Sequence, residues 1–177
     1  HNLDSAIFTL EKLIRLPGLT KVFVSECKLL LGDIFILQGE KWEATLMYAQ
    51  VDKAHKGEEI SEEAKYRNAR LSYYTGEFEW AQAQLDILKT ASSRETANDA
   101  MALSLLITDN LSLDTNEVAM LSYANVELLV FQNKLSLAMD SIERFKTHFP
   151  DHSLLDEALF LQSKIFLKQG FPDKAIE

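Results

Sequence analysis

A short pattern recurs along this chain and limits the folds that it can adopt. A turn residue, four further positions and then an alanine occur together at 39–44, 76–81, 133–138 and 170–175. Ala6 fits as the end of a fifth copy, with His1 at the turn position. Internal similarity of this kind is typical of proteins built from stacked repeats. The sequence therefore predicts an array of similar units.

Each copy lies between two segments with helical periodicity of apolar residues. Leu29 to Gln38 precede Gly39, and Trp42 to Val51 follow it. The residue that ends a helix often takes the left-handed conformation, which glycine adopts freely and which asparagine tolerates better than most residues. Gly39 and Asn133 suit that position. We predict a pair of antiparallel helices around each turn.

The alanine of the pattern predicts a close crossing between the two helices of a pair. A small side chain there lets the two backbones approach each other. The side chain that faces this alanine from the other helix, seven positions before the turn residue, should then be small as well. Those positions hold Gly32, Ala69, Val126 and Ser163, of which Val126 departs from the rule.

Composition and periodicity together predict an all-α protein. The chain is 47% hydrophobic and has only 6 Gly and 3 Pro in 177 residues, a composition that favours helices. We predict helices at about 3–15, 20–38, 41–55, 60–75, 78–91, 95–109, 115–132, 135–148, 153–169 and from 172 onward.

The repeat interval is irregular in the middle of the chain. Ala44 to Ala81 and Ala138 to Ala175 are both 37 residues apart, whereas Ala81 to Ala138 is 57. A helix at about 95–110 accounts for the excess. We expect one solenoid over 1–177, with regular units at about 1–92 and 115–177, an irregular helix between them, and continuation into a longer protein.

Net charge narrows the range of partners. Eighteen basic and 27 acidic residues give a formal charge of −9, which would repel nucleic acid and anionic membrane surfaces. No run of about 18 apolar residues is present, so we expect no membrane insertion.

The side chains that usually carry chemistry give weak signals here. His148 and His152 have helical metal-ligand spacing, but Pro150 between them predicts a turn. Cys27 lies in an apolar helix and reads as a buried thiol. Glu58, Glu59, Glu62 and Glu63 crowd the start of a helix, where we expect them to complement the helix dipole and face water. We predict no catalytic residue, metal or cofactor, and we do not expect an enzyme.

These features resemble the tetratricopeptide repeat. The turn residues, the alanines and Phe149-Pro150-Asp151 at the end of a unit carry the resemblance, which leaves out about 95–114. The segment 148–177 is similar to bacterial envelope proteins of this class, which favours a periplasmic or envelope location, with the cytoplasm as the alternative. We also expect Trp42 and Trp80 to anchor the packing of adjacent units.

The resemblance implies a right-handed stack of helix pairs whose first helices line a concave groove for a peptide or helix of a partner protein. Counted on this sequence, the binding residues that it implies are Tyr66, Arg70, Tyr73, Tyr123, Glu127, Phe160 and Lys164. Rings beside charges are common at recognition surfaces. The alternative is that these rings pack between neighbouring helices. A clamp for a chaperone's terminal carboxylate is disfavoured, because the groove positions are aromatic, acidic or mixed.

Two functions therefore remain open from sequence. The first is a protein-binding scaffold. The second is a spacer or oligomerisation arm of a larger protein, with self-association through apolar ends of the array.

Overall fold

A computed structural model describes residues 3–90, 93–112 and 117–176 of the chain. Every regular element among these residues is helical, which confirms the predicted all-α class. The α-helices are α1 (Leu3–Ile14), α2 (Lys21–Gln38), α3 (Lys41–Ala54), α4 (Glu59–Tyr74), α5 (Phe78–Leu88), α6 (Arg94–Ser112), α7 (Glu117–Phe131), α8 (Leu135–His148) and α9 (Leu154–Lys168).

The predicted helix limits agree with these to within three residues, except at the end of the chain. The helix predicted from 172 onward is wrong. That segment forms a single 3-10 turn, Asp173–Ala175, in which Ala175 N–H donates to the Pro172 carbonyl at 3.1 Å. One turn makes too few hydrogen bonds to offset the entropy lost in starting an α-helix.

The chain forms two compact units. Unit 1 comprises His1–Ser72 and Phe78–Leu105, and unit 2 comprises Tyr73–Glu77 and Leu106–Glu177. Within unit 1, α2 contacts both α1 and α3; within unit 2, α7, α8 and α9 contact one another. One boundary falls inside α6, the helix that the sequence marks as an interruption of the repeat.

The four turn residues end their helices as predicted. Gly39, Gly76 and Gly170 have φ of 87°, 83° and 82°, and Asn133 has φ of 55°. The hydrogen bonds repeat as well. Gly39 N–H donates to Ile36 O at 3.1 Å and Glu40 N–H to Phe35 O at 2.8 Å, and the backbone after Asn133 bonds back in the same way. These bonds satisfy the last carbonyl groups of each helix.

The predicted contact between the two helices of a pair is present for α2 with α3 and for α7 with α8, whereas the fourth predicted pair lacks its second α-helix. Ala44, Ala81 and Ala138 are completely buried, as are Ala69 and Val126 on the facing positions. Ala175 is only half-buried. The valine is thus accommodated in the interior although it is larger than the residues at the equivalent positions.

Gly32 shows how closely α2 and α3 approach. A Cβ atom added there would lie 2.3 Å from Cε1 and 2.7 Å from Cζ of Tyr48. The ring of Tyr48 is completely buried, and its hydroxyl donates to Asp33 Oδ1 at 2.7 Å. The ring therefore cannot move away without losing a hydrogen bond inside the unit.

We expect Gly32→Ala to lower the free energy of unfolding by about 2 kcal/mol, because the added methyl group overpacks the crossing. This loss exceeds the gain of about 1 kcal/mol that alanine brings to a helix. Urea denaturation measures the difference. Tyr48→Val in the same chain should remove most of the penalty. Gly39→Ala is the control, since its cost comes from backbone conformation and should not depend on Tyr48; equal costs in both Tyr48 backgrounds for Gly32→Ala would refute the proposed contact.

The predicted role of the two tryptophans is wrong. Trp42 is 81% exposed and Trp80 is 59% exposed. Both lie on helices whose buried face is marked by the alanine of the pattern. A helix turns about 100° per residue, so positions one or two before that alanine point to the side or away from the crossing. The interior is built instead from Tyr48, Leu85 and Phe145.

Candidate functional site: an acidic cleft in unit 1

A cleft of about 550 Å³ opens in unit 1 where the first turns of α4 and α6 meet the first half of α2. Its volume lies in the range of about 300–1,000 Å³ that is usual for ligand clefts. Three kinds of side chain line it: aliphatic, carboxylate and hydroxyl. They are Val22, Glu26 and Leu29 from α2, Glu58, Glu59, Ile60 and Glu63 from the start of α4, and Ser93, Glu95 and Thr96 from the start of α6. We call this site the acidic cleft.

The apolar part of the cleft comes from α2 and α4. Leu29 is buried at 5% exposure, Ile60 is half-buried and Val22 is 45% exposed. Val22 and Leu29 are seven residues apart, which places them on one face of α2. The cleft can therefore remove apolar surface of a ligand from water, which favours binding in proportion to the area covered.

Five glutamates give the cleft its charge. Glu58 and Glu63 are engaged within the chain: Glu58 Oε2 lies 2.8 Å from His55 Nδ1, and Glu63 Oε1 accepts from Arg67 Nε at 2.6 Å. Glu26, Glu59 and Glu95 are exposed, and no lysine, arginine or histidine of the described residues lies within 4.0 Å of their carboxylates. The cleft thus presents unneutralised negative charge to solvent.

Hydrogen bonds hold the helices that form the cleft in place. Arg67 NH1 on α4 donates to Asp33 Oδ2 on α2 at 2.6 Å, and Asp33 also accepts from Tyr48 on α3. Ser93 N–H, just before α6, donates to Glu62 Oε2 on α4 at 3.3 Å. The lining residues therefore stand on helices whose relative positions are already set, which reduces the entropy lost when a ligand binds.

The binding residues implied by the family resemblance are divided between the two units. In unit 1, Tyr66 and Arg70 are half-buried, and the Arg70 guanidinium lies 5.7 Å from the centre of the Tyr66 ring. In unit 2, Tyr73 is completely buried, and its hydroxyl donates to Glu127 Oε2 at 2.6 Å. None of these four side chains lines the acidic cleft.

The remaining three residues of that set lie in unit 2. Tyr123 is buried at 5% exposure, and its ring meets Phe145 edge-on at 6.3 Å. Phe160 is 62% exposed, and Lys164 Nζ lies 4.2 Å above its ring. The structure therefore gives Tyr73 and Tyr123 packing positions in unit 2, whereas Phe160 and Lys164 are open to solvent.

Sequence reasoning did not identify the acidic cleft. It treated the glutamates at the start of α4 as a group that faces water, yet Glu62 and Glu63 are half-buried and hydrogen-bonded. The available signal was the presence of carboxylates near the starts of three alternate helices, at Glu26, Glu59 and Glu95. Their convergence depends on how those helices cross, which spacing within one helix does not report.

The cysteine and the two histidines considered as reactive or metal-binding groups lie outside the acidic cleft. Cys27 is buried, as predicted, and burial and the charge of Glu26 raise the pKa of its thiol. His148 and His152 lie on either side of the turn between α8 and α9, also as predicted. His148 Nδ1 lies 2.8 Å from the Arg144 carbonyl, and His152 Nδ1 accepts from Leu154 N–H at 3.1 Å. Across the described part of the chain, no three His, Cys, Asp or Glu side chains are grouped so as to hold a metal ion.

Two general findings complete the description of the chain. Within the described ranges, no helix combines the length and the apolar character needed to cross a membrane. Comparison of the chain with protein-family models, with curated proteins and with solved structures found no match.

Proposed function

We propose that this chain is a scaffold of tetratricopeptide-like helical repeats that binds a segment of a partner protein in the acidic cleft. The observation that carries the proposal is the composition of the cleft. Apolar side chains from α2 and α4 and exposed carboxylates from α2, α4 and α6 line it together. Peptide-binding grooves commonly combine an apolar base for anchoring side chains with polar groups that fix orientation.

The regular construction of the units supports the same proposal. Left-handed turn residues and buried alanines recur from one helix pair to the next. Stacked helix pairs place equivalent faces of alternate helices side by side, and repeat proteins use such surfaces to hold extended partners. The cleft lies on three alternate helices, α2, α4 and α6.

Selection from a random peptide library displayed on phage tests this function. We expect sequences to be enriched on the immobilised chain and to compete with one another for one site. Val22→Trp, which fills the cleft, should weaken their binding at least tenfold when affinities are measured by fluorescence anisotropy. Leu46→Trp is the matched control, because Leu46 is 55% exposed on α3 and lies outside the cleft.

Two outcomes would count against a peptide-binding cleft. One is a selection that enriches no sequence above a scaffold-free control. The other is a set of binders with equal affinity for the Val22→Trp and Leu46→Trp proteins. The first result would favour the second function, a spacer or oligomerisation arm, whereas the second would place peptide binding outside the acidic cleft.

A further inference from the structure

We infer that the segment bound in the acidic cleft is basic and amphipathic, with apolar side chains directed at Val22, Leu29 and Ile60. Its lysine or arginine side chains would meet Glu26, Glu59 and Glu95. This inference rests on the proposed function and names the class of partner that the cleft takes.

The charge argument begins with the carboxylates that have no counter-ion. Of the five glutamates in the lining, three are exposed and lie beyond 4.0 Å from any described basic side chain. The ten lining residues include no lysine, arginine or histidine. The carboxylates of the lining would therefore attract a basic segment and repel an acidic one.

Helix dipoles do not reverse this sign. The starts of α4 and α6 lie at the cleft, and a helix N-terminus carries roughly half a positive charge. Two such ends amount to about one positive charge. Glu26, Glu59 and Glu95 contribute three negative charges, without counting Glu58 and Glu63, which already interact with His55 and Arg67. The cleft stays negative.

The apolar part of the lining favours a basic peptide over a metal ion. Val22, Leu29 and Ile60 offer nothing to a metal ion, which binds through oxygen, nitrogen or sulfur ligands. An amphipathic segment uses both features, because its apolar face can cover the aliphatic side chains while its charged face meets the carboxylates. A second copy of this chain is a poor occupant, since two chains of formal charge −9 repel each other.

Three designed peptides test the inference. They share leucine at positions i, i+3, i+4 and i+7 and carry lysine, glutamine or glutamate at all other positions. We expect the lysine peptide to bind the chain at least tenfold more tightly than the glutamine peptide, and the glutamate peptide to bind least. The advantage of lysine should shrink as salt rises from about 0.05 to about 0.5 M, because ions screen exposed charges.

Two triple variants with equal changes in net charge locate the effect. Glu26→Gln, Glu59→Gln and Glu95→Gln together should weaken binding of the lysine peptide roughly tenfold and leave the glutamine peptide unchanged. Glu40→Gln, Glu43→Gln and Glu79→Gln, all exposed in unit 1 and outside the cleft, should change the affinity of the lysine peptide less than twofold.

The possible outcomes test the basic character of the partner separately from peptide binding in the cleft. If the glutamine peptide or library-selected neutral sequences bind as tightly as the lysine peptide and are weakened by Val22→Trp, the basic partner is wrong and the peptide-binding cleft stands. If neither the designed peptides nor selected sequences respond to Val22→Trp, both proposals fail. Calcium binding by calorimetry that is lost in the cleft triple variant would also overturn the peptide assignment.

Discussion

Phe145→Ala is expected to lower the free energy of unfolding by about 3–5 kcal/mol, the usual cost of deleting a buried aromatic ring. Phe145 is 1% exposed in unit 2. Its ring centre lies 5.1 Å from that of Phe149, 6.2 Å from His152 and 6.3 Å from Tyr123. Alanine would leave a cavity lined by three rings that α8, the following turn and α7 hold in place. Urea denaturation followed by circular dichroism measures the loss.

Phe160→Ala in the same unit is the control. Phe160 is 62% exposed, so its removal should change the free energy of unfolding by no more than about 0.5 kcal/mol. A cost for Phe160→Ala close to that of Phe145→Ala would show that Phe160 is covered by other parts of the protein in solution. A small cost for Phe145→Ala would contradict its place in the core.

The free energy of unfolding is expected to fall steeply as pH rises above about 10. Burial is the largest factor that raises the pKa of Tyr48, Tyr73 and Tyr123, and nearby carboxylates add to it: Asp33 for the first, Glu127 for the second, Glu127 and Glu157 for the third. In the unfolded chain each tyrosine titrates near pH 10. Above that pH the unfolded state binds fewer protons than the folded state, so stability falls as pH rises. The fall is about 1.4 kcal/mol per pH unit for each tyrosine, or about 4 kcal/mol per pH unit for three.

Denaturation at a series of pH values between about 8 and 11.5 measures this slope, and absorbance at 295 nm follows tyrosinate formation. Tyrosinate from these three side chains should appear together with loss of helix. Tyr48→Phe should reduce the slope above pH 10 by about 1.4 kcal/mol per pH unit. Ionisation of all five tyrosines near pH 10 in a chain that keeps its helices would refute the burial of these hydroxyl groups.

Much of the local structure of this chain could be predicted from sequence. The positive φ at Gly39 and Asn133 and the helix on each side of them follow from preferences that act over a few residues. The exposure of Trp42 could not be inferred from its size and apolar character. Its place two positions from the buried Ala44 puts it on the other side of α3, where it is 81% exposed.

The candidate site depends on tertiary structure more than the fold class does. The sequence placed binding at aromatic positions of the first helices, and two of those rings, Tyr73 and Tyr123, are buried. Each of these tyrosines packs its ring in the interior and places its hydroxyl group beside a carboxylate. The same residue type can therefore serve packing as well as recognition. Residue type alone does not show whether an aromatic side chain packs in the interior or binds a partner.

The helices from α1 to α9, their approximate ends and the crossings of α2 with α3 and of α7 with α8 follow from sequence, because periodicity, the left-handed turn and the small side chain act within one helix pair. That Glu26, Glu59 and Glu95 line one cleft together with Val22, Leu29 and Ile60 is a property of the tertiary structure, which the sequence pattern does not report. These residues are brought together by the crossing of α2, α4 and α6, which Arg67, Asp33 and Glu62 help to set through hydrogen bonds. Contacts between residues so far apart in the chain depend on distances and angles between helices, and no pattern within a single helix records them.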